Sequence, residues 1–482
     1  MILCELFPYA SVVYDIFMVL YTLTIVGTLV IILSENRNPV KSLGWATILV
    51  LLPMVGILLY LLFGRRLKHR HMISRKKLRR LRTDNKLAEE SPVQLFSEGN
   101  KQQAHLAEEL TETPIYKGNN VDVFTDGKSK FESLMNDIAQ AQHFIHLQYY
   151  IIENDNTGRQ LSELLIAKAK EGVNVRILYD HVGSYTINAA FFKHLRDNGV
   201  EASPFLKITL TSIFNRLNWR NHRKIVVIDG KVGYIGGMNI ADRYVTGDRN
   251  NNPWRDTHLR ITGPAVIGLF NTFAIDWNYM NRKLLTMSSE NITTAAPVEH
   301  GDAVQIVASG PTDLWNGNSF VVLRAIMLAK KRLYIQTPYF LPNDALLKAL
   351  QVAALSGVDV KVMIPRRTDS VILRHASGSY IKECLLAGIK IYLYDDAMLH
   401  SKVVIVDDDF VTAGSSNFDF RSFEHNFECN ALVYSNTFNR RMLDIFLQDQ
   451  HHSTRLILSH WRRRPVTIKA FESLARLLAP IL

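Results

Sequence analysis

Cysteine is nearly absent from this sequence: Cys4, Cys384 and Cys429 are the only three in 482 residues, and they stand far apart. That spacing supports neither a disulfide framework nor a zinc cluster, and it places the bulk of the chain in a reducing compartment. No compact set of Asp, Glu and His has the spacing of a metal site, so no metal is expected. Charge is missing from two long stretches, IFMVLYTLTIVGTLVIIL (16–33) and LGWATILVLLPMVGILLYLLF (43–63). Each approaches the ~20 residues that a membrane-crossing helix needs. The first lacks a small-residue cleavage site and a second comes at once, which argues against a signal peptide.

A basic surplus is also absent from most of the chain. The formal net charge is +11, but residues 1–82 hold 12 Lys/Arg against 3 Asp/Glu and the remainder holds 44 against 42. A nucleic-acid groove shows as a basic stripe, so the chain beyond residue 82 does not favour nucleic acid. The surplus is concentrated in GRRLKHRHMISRKKLRRLR (64–82), directly after the second apolar stretch. The positive-inside rule then puts everything beyond it in the cytoplasm. The expected plan begins with a two-helix transmembrane hairpin over 1–64 and a basic juxtamembrane linker over 65–112.

Beyond the linker an α/β pattern is written twice. HFIHLQYYII (143–152), GRQLSELLIAKAKEG (158–172) and VNVRILYD (173–180) alternate strand, helix and strand; RLYIQTPYFL (332–341), DALLKALQVAALSG (344–357) and VDVKVMIP (358–365) repeat the order. Gln148 and Gln336, Gly172 and Gly357, Gly199 and Gly388, and His222 and His400 are offset by 188, 185, 189 and 178 residues. Such alternation predicts βαβ units, with mixed or parallel sheets covered by helices. The halves are expected over 113–290 and 291–460, joined near TMSSENITTAAPVEHG (286–301), with a basic-apolar tail over 461–482.

Each half carries one oddly polar strand. NHRKIVVIDGKVGYIGGMN (221–239) holds His222, Lys224 and Asn239, and LHSKVVIVDDDFVTAGSSN (399–417) holds His400, Lys402 and Asn417. Alternation along a strand puts each histidine and lysine on one face. A two-residue turn at Asp229-Gly230 would set residue 237 opposite 222, with Asn239 diagonal to it. A turn over Asp407–Asp409 would set Ser415 and Ser416 opposite His400. Imidazole, ammonium, amide and hydroxyl groups gathered in this way suit phosphate chemistry. The lysine supplies positive charge, the amide supplies N–H donors, and histidine is a nucleophile or proton carrier near neutral pH. Two facing patches would supply a nucleophile and a general acid to one phosphodiester. Asp229 and Asp407 fall at the turns, which aspartate favours, and face away from the lysines, so the residues alone make them structural. A catalytic histidine needs a carboxylate to fix its tautomer. Glu428, opening ECNALVYS, and Asp256, opening DTHLRITG, are the matching candidates, with Glu424 as a competitor.

The doubled H-x-K-x4-D pattern resembles the phospholipase D superfamily. Together with QYYI, QTPYFLP, GSSNFDFRSFEHNFE and the paired N-terminal spans, it resembles the bacterial cardiolipin synthases over essentially the full length. The resemblance implies two tandem α/β/α sandwich halves with pseudo-twofold symmetry and one active site at their interface. It implies a catalytic set of His222, Lys224, Asp229, His400, Lys402 and Asp407, supported by Asn239, Asn417, Ser415, Asp256 and Glu428. Two phosphatidylglycerol molecules would react through a phosphatidyl-histidine on His222, with His400 as acid and base, in the bacterial inner membrane. Gly237 departs from the pattern where serine is frequent. The insertion FLKITLTSIFNRLNWR (205–220) and the tail RRRPVTIKAFESLARLLAPIL (462–482) mix basic and apolar residues, as lipid-facing helices do. A phospholipase or another phosphatidyltransferase, a tethered nuclease and a non-catalytic scaffold remain as alternatives.

Overall fold

The computed structural model describes residues 10–34, 39–64, 97–187, 189–209, 217–247, 252–281, 284–287, 290 and 295–478. The basic run over 65–82 lies outside them, as do parts of the linker over 286–301, residues 210–216 of the insertion and residues 479–482 of the tail. The described residues fall into two compact units, one made of Met1–Leu67 with Ile208–Asn218, the other of Lys68–Lys207 with Trp219–Leu482.

In the first unit, α1 (Ala10–Ser34) contains the whole of the first apolar stretch. The second stretch is not one helix. It divides into α2 (Pro39–Leu51), α3 (Pro53–Leu59) and a π-type turn over Tyr60–Gly64. Pro53 has no N–H with which to continue the ladder, and Leu52 leaves the helical region at φ −135°, ψ 67°. Ile32, Leu49 and Tyr60 are buried together, and Trp45 meets Tyr60 edge-on at 5.4 Å, so the two arms pack as a helical hairpin. Among the described residues no helix is long and apolar enough to cross a membrane. The expectation of two unbroken spans is corrected to that extent: the second arm is interrupted at the proline.

The second unit runs through one series of elements twice, led in by α4 (Glu98–Thr111). The first pass is β1 (Tyr116–Phe124), α5 (Gly127–Ala139), β2 (Phe144–Tyr149), α6 (Asn156–Lys170), β3 (Asn174–Asp180), α7 (Ala189–Asp197), β4 (Glu201–Phe205), β5 (Ile225–Ile228), β6 (Val232–Gly236), β7 (His258–Thr262) and α8 (Val266–Met280). The second begins with β8 (Asp302–Ser309), α9 (Gly317–Leu328), β9 (Arg332–Gln336), a short β10 (Phe340–Leu341), α10 (Asp344–Leu355), β11 (Asp359–Pro365), α11 (Val371–Leu386) and β12 (Lys390–Tyr394). It ends with β13 (Val403–Val406), β14 (Phe410–Gly414), β15 (Phe418–Asp419), α12 (Phe420–Glu424), β16 (Glu428–Tyr434) and α13 (Asn436–His451). A short β17 (Ser453–Arg455), α14 (Leu458–Arg462) and α15 (Val466–Leu478) complete it.

Side-chain caps start these helices: Asp126, Asp155, Asn343, Ser370 and Ser435 each accept an N–H from the first helical turn. The strands β2, β5 and β13 between them are buried on both faces, because helices cover both sides of the mixed sheet. The strands form one 15-stranded sheet in the order β17-β12-β11-β9-β13-β14-β16-β8-β1-β7-β6-β5-β2-β3-β4. Equivalent strands are mirrored about the antiparallel β8–β1 pair, which joins the halves.

Both hairpins turn through three residues. Ile228 pairs with Val232 and Val406 with Phe410, so residue 238, not 237, falls opposite 222. Asp229 and Asp407 open these turns in the left-handed region, at φ 52° and 47°. Each carboxylate then accepts backbone N–H groups at the entry to a neighbouring strand. Asp229 takes those of Gln142, His143 and Phe144, each at 2.8 Å, and Asp407 takes those of Lys330, Lys331 and Arg332 at 2.7–3.0 Å. The motif aspartates therefore clamp the hairpins to β2 and β9, one strand length away from the lysines. Neither carboxylate hydrogen-bonds a motif histidine.

Asp229→Ala should cost about 3 kcal/mol of stability by stranding these N–H groups, lowering the melting temperature while kcat of the folded fraction stays within about threefold. A loss of kcat beyond a hundredfold at unchanged melting temperature would return Asp229 to the site.

Candidate active site

Each motif histidine is built by its own half and held by the other. The segment before His222 lies parallel to the segment before Glu428: Phe427 N–H donates to the Arg220 carbonyl and His222 N–H to the Phe427 carbonyl, both at 2.9 Å. The segment before His400 repeats this against the one before Asp256, with Arg255 N–H on the Met398 carbonyl at 3.0 Å and His400 N–H on the Arg255 carbonyl at 2.7 Å. The side chains match this backbone pairing. His222 Nδ1 lies 3.0 and 3.1 Å from the two Glu428 oxygens, and His400 Nδ1 lies 2.6 Å from Asp256 Oδ2. Glu428 and Asp256 are thus the carboxylates in contact with the two imidazoles, each reaching the histidine of the opposite half. Glu424, the competing candidate, is not at either imidazole.

An ionised carboxylate can only accept a hydrogen bond, so the shorter contact to Asp256, rather than Lys402 Nζ at 2.9 Å, sets the His400 tautomer: Nδ1 carries the proton of each neutral ring and Nε2 keeps its lone pair. No described residue hydrogen-bonds either Nε2. The carboxylates are fully buried, whereas the His222 and His400 side chains stay 10% and 8% exposed. The free nitrogen of each ring is the part that an incoming group can reach.

Burial lowers the affinity of both rings for a proton. His222 sits below its ordinary pKa, through burial first and then Lys224 and Lys402, despite the opposing pull of Glu428. His400 is lowered to about 4 by burial and Lys402 against the pull of Asp256. The lysines are depressed too, Lys402 to about 8 and Lys224 well below its usual value, in both cases by burial. Burial alone would raise the two acids, but Lys402 and His400 outweigh it at Asp256, and His222 and Lys224 at Glu428, leaving both ionised. Lys224 donates to the His222 carbonyl at 2.7 Å, and Lys402 bonds the His400 carbonyl and lies 3.9 Å from Asp256.

The supporting residues differ between the halves. Ser415 Oγ donates to Glu428 Oε2 at 2.5 Å and accepts Cys429 N–H at 2.9 Å, so its hydroxyl serves the carboxylate. At the equivalent Gly237 an added Cβ would stand 2.2 Å from Asp256 Oδ1, so only glycine leaves room for that acid. Asn239 donates to the Tyr244 hydroxyl at 3.0 Å and accepts Ile151 N–H at 3.2 Å, while the Asn417 side chain bonds Asp419.

Other residues at the site went unread in the sequence. Tyr150 meets the His222 ring edge-on at 5.0 Å, and Trp254 lies 5.3 Å from the His400 ring. Arg223 pairs with Asp276 at 2.5 Å and donates to the Glu428 carbonyl at 3.1 Å; Arg255 forks onto Asp449 at 2.7 and 3.1 Å and reaches Ser401 Oγ at 3.0 Å. Gln148 and Gln336, already matched by the repeat, donate to these same two aspartates at 2.5 and 2.7 Å. Continuing the repeat alignment from those glutamines into α8 and α13 would have found them. Among the described residues no cluster of His, Cys, Asp and Glu is arranged to hold a metal ion.

The family model described as "Cardiolipin synthase, PLD-like domain" matches twice, over residues 134–262 and 322–450, and a phospholipase D-nuclease N-terminal model matches 22–65. A cardiolipin synthase of Alkalihalophilus pseudofirmus is 40% identical over 470 residues, covering 96% of this chain and 93% of its own. The chain belongs to the cardiolipin synthase family of phospholipase D-like phosphatidyltransferases. A second member, the major cardiolipin synthase ClsA of Bacillus subtilis, is 39% identical over 472 residues, covering 96% of this chain and 98% of its own. The phosphatidylserine synthase structure from Haemophilus influenzae shares the fold at TM-score 0.60 and 15% identity, covering 79% of this chain and 100% of that one. For this cardiolipin synthase family member, the two matched segments are the two halves that the histidine site joins.

The crossing can be checked by nitrogen NMR of labelled imidazoles. His400 should stay neutral down to about pH 4, and Glu428→Gln should lower the pKa of His222 further while leaving His400 in place. A His400 transition near its ordinary value of about 6.5, or a response to Glu428→Gln confined to His400, would overturn this geometry.

Proposed function

We propose that the enzyme moves a phosphatidyl group between two phosphatidylglycerol molecules, giving cardiolipin and glycerol. The observation that carries this reading is the pair of accessible Nε2 lone pairs, each on a ring fixed through Nδ1 by a buried carboxylate. His222 Nε2 attacks the first phosphodiester: a P–N bond forms and the P–O bond to glycerol breaks. His400 gives that oxygen a proton, then takes one from the free hydroxyl of a second phosphatidylglycerol. The hydroxyl oxygen attacks phosphorus, the P–N bond breaks, and His222 is restored. The order, with His222 as nucleophile, rests on the resemblance to the superfamily.

As general acid, His400 must be protonated, although burial holds its pKa near 4. The substrate phosphodiester supplies the missing charge. One negative charge about 4 Å away, at an effective dielectric near 20, is worth about 4 kcal/mol. That is enough to lift the imidazole from about 4 to about 7. Binding the anion therefore charges the acid that the reaction needs. Lys224 and Lys402 balance the phosphoryl oxygens, with Asn239 and Asn417 beside them. Water as acceptor would give phosphatidic acid, so the aromatic rings around the imidazoles help to keep it out.

Placement at the inner face of the bacterial membrane belongs to the same reading. Ile16, Val19, Leu20, Leu23 and Val30 of α1, with Leu51, Leu52, Met54 and Val55 at the α2–α3 break, are apolar and exposed. A bilayer would cover them, and the basic run beyond them fits a cytoplasmic catalytic unit.

Purified enzyme given phosphatidylglycerol alone in mixed micelles should yield cardiolipin and equimolar glycerol by mass spectrometry, and His222→Ala or His400→Ala should each lower turnover at least a thousandfold. Phosphatidic acid as the product would make the enzyme a phospholipase D; no product until phosphatidylethanolamine is added would identify a mixed-donor reaction.

A further inference from the structure

A cavity of about 580 Å³ opens where α15 lies against α11, with α14 and Phe420 of α12 completing its wall. None of its lining residues belongs to the histidine site. Its walls are firmly built. Glu472 and Ala475 bury one face of α15 on α11, and Gly378 permits the approach, since a Cβ there would stand 2.6 Å from Glu472 Oε1. Arg464 forks onto Glu472 and stacks on Trp461 at 3.2 Å, and Arg476 pairs with Glu383 at 2.6 Å above Tyr380.

These pairs consume Arg464 and Arg476 but leave other charge unbalanced. Among the described residues, Lys382 and Arg462 line the cavity with no carboxylate partner, and Lys469 donates only to the Arg462 carbonyl, at 2.7 Å. Asp344, in the first turn of α10, is the remaining lining acid. Three cations thus face one carboxylate. The outer face of α15 is apolar and bare: Val466, Leu474 and Leu477 are 78%, 58% and 76% exposed, Phe471 is exposed beside them, and Leu477 also lines the cavity. A basic hollow rimmed by an apolar helix face complements one kind of occupant, a phosphate joined to hydrocarbon.

We propose that this cavity binds the headgroup phosphate of an anionic membrane phospholipid, with the lipid chains lying along Phe471, Leu474 and Leu477. It is a lipid site distinct from the pair of histidines, and it does not depend on the reaction assigned to them. Its effect is to hold the C-terminal edge of the catalytic unit against an anionic bilayer.

The test uses the full chain in neutral detergent micelles, with phosphatidylserine or phosphatidylcholine carrying a photoreactive acyl chain, and crosslinks located by mass spectrometry. Phosphatidylserine should label the peptides of α14 and α15 at least fivefold more than phosphatidylcholine. Lys382→Glu with Arg462→Glu should remove that excess while melting temperature and labelling elsewhere hold. Should the double variant misfold, wild-type protein at high salt gives the same comparison, because screening weakens exposed charge pairs. Equal labelling by the two lipids would mean apolar adhesion only. Labelling indifferent to both charge reversal and salt, or abolished by millimolar inorganic phosphate, would likewise overturn the proposal, the last in favour of a free-phosphate site.

Discussion

Two imidazole–carboxylate contacts across the boundary between the halves set the terms for the rest of the structure. Asp256 and Glu428 are fully buried, and stranding one such charge costs about 3–5 kcal/mol. They remain ionised because Lys402, Lys224, the two rings and nearby N–H and O–H donors surround them. Everything that positions those donors is therefore under constraint. This includes the backbone pairs at Asn221–Phe427 and Arg255–Leu399, and the arginines that tie the same segments to Asp276 and Asp449. The long mirrored sheet provides the rigidity on which this geometry rests.

Duplication has not kept the two sides alike. One side pairs a longer acid with a serine hydroxyl, Glu428 with Ser415; the other pairs a shorter acid with a bare backbone, Asp256 against Gly237. A tyrosine edge borders His222, while Trp254 and Tyr244 crowd His400. The same motif thus presents two imidazoles in different surroundings.

Much of this was legible in the chain itself. Strand–helix alternation and the four offset pairs identify the repeated α/β halves, and strand alternation alone brings histidine and lysine to one face. The acids at the start of β7 and β16 were legible from their equivalent positions. Which histidine each one serves was not, because a repeat aligns residues without saying how its copies face each other. The turn at Asp229 was misjudged by one residue, since Asp-Gly signals a tight turn but not whether Lys231 joins it. Asp229 and Asp407 carried opposite messages, structural from their position and catalytic from the motif, and the positional one agrees with their hydrogen bonds. The second apolar stretch carries no charge to mark a break, yet the missing N–H of Pro53 divides it into two helices. Asp276 and Asp449 escaped notice because a single acid on a helix has no local signature; only its glutamine partner identifies it.

The crossed wiring also has a consequence for the order in which the chain is made. Glu428 leaves the ribosome 206 residues after His222. At about 5–20 residues per second that is a delay of roughly 10–40 s. Through that interval the first half holds the His222 imidazole without its carboxylate, and the edge of β1 lacks its neighbour until β8 (Asp302–Ser309) has been made. A newborn first half is therefore an unfinished sheet with an open border, and β8 is the strand that closes it.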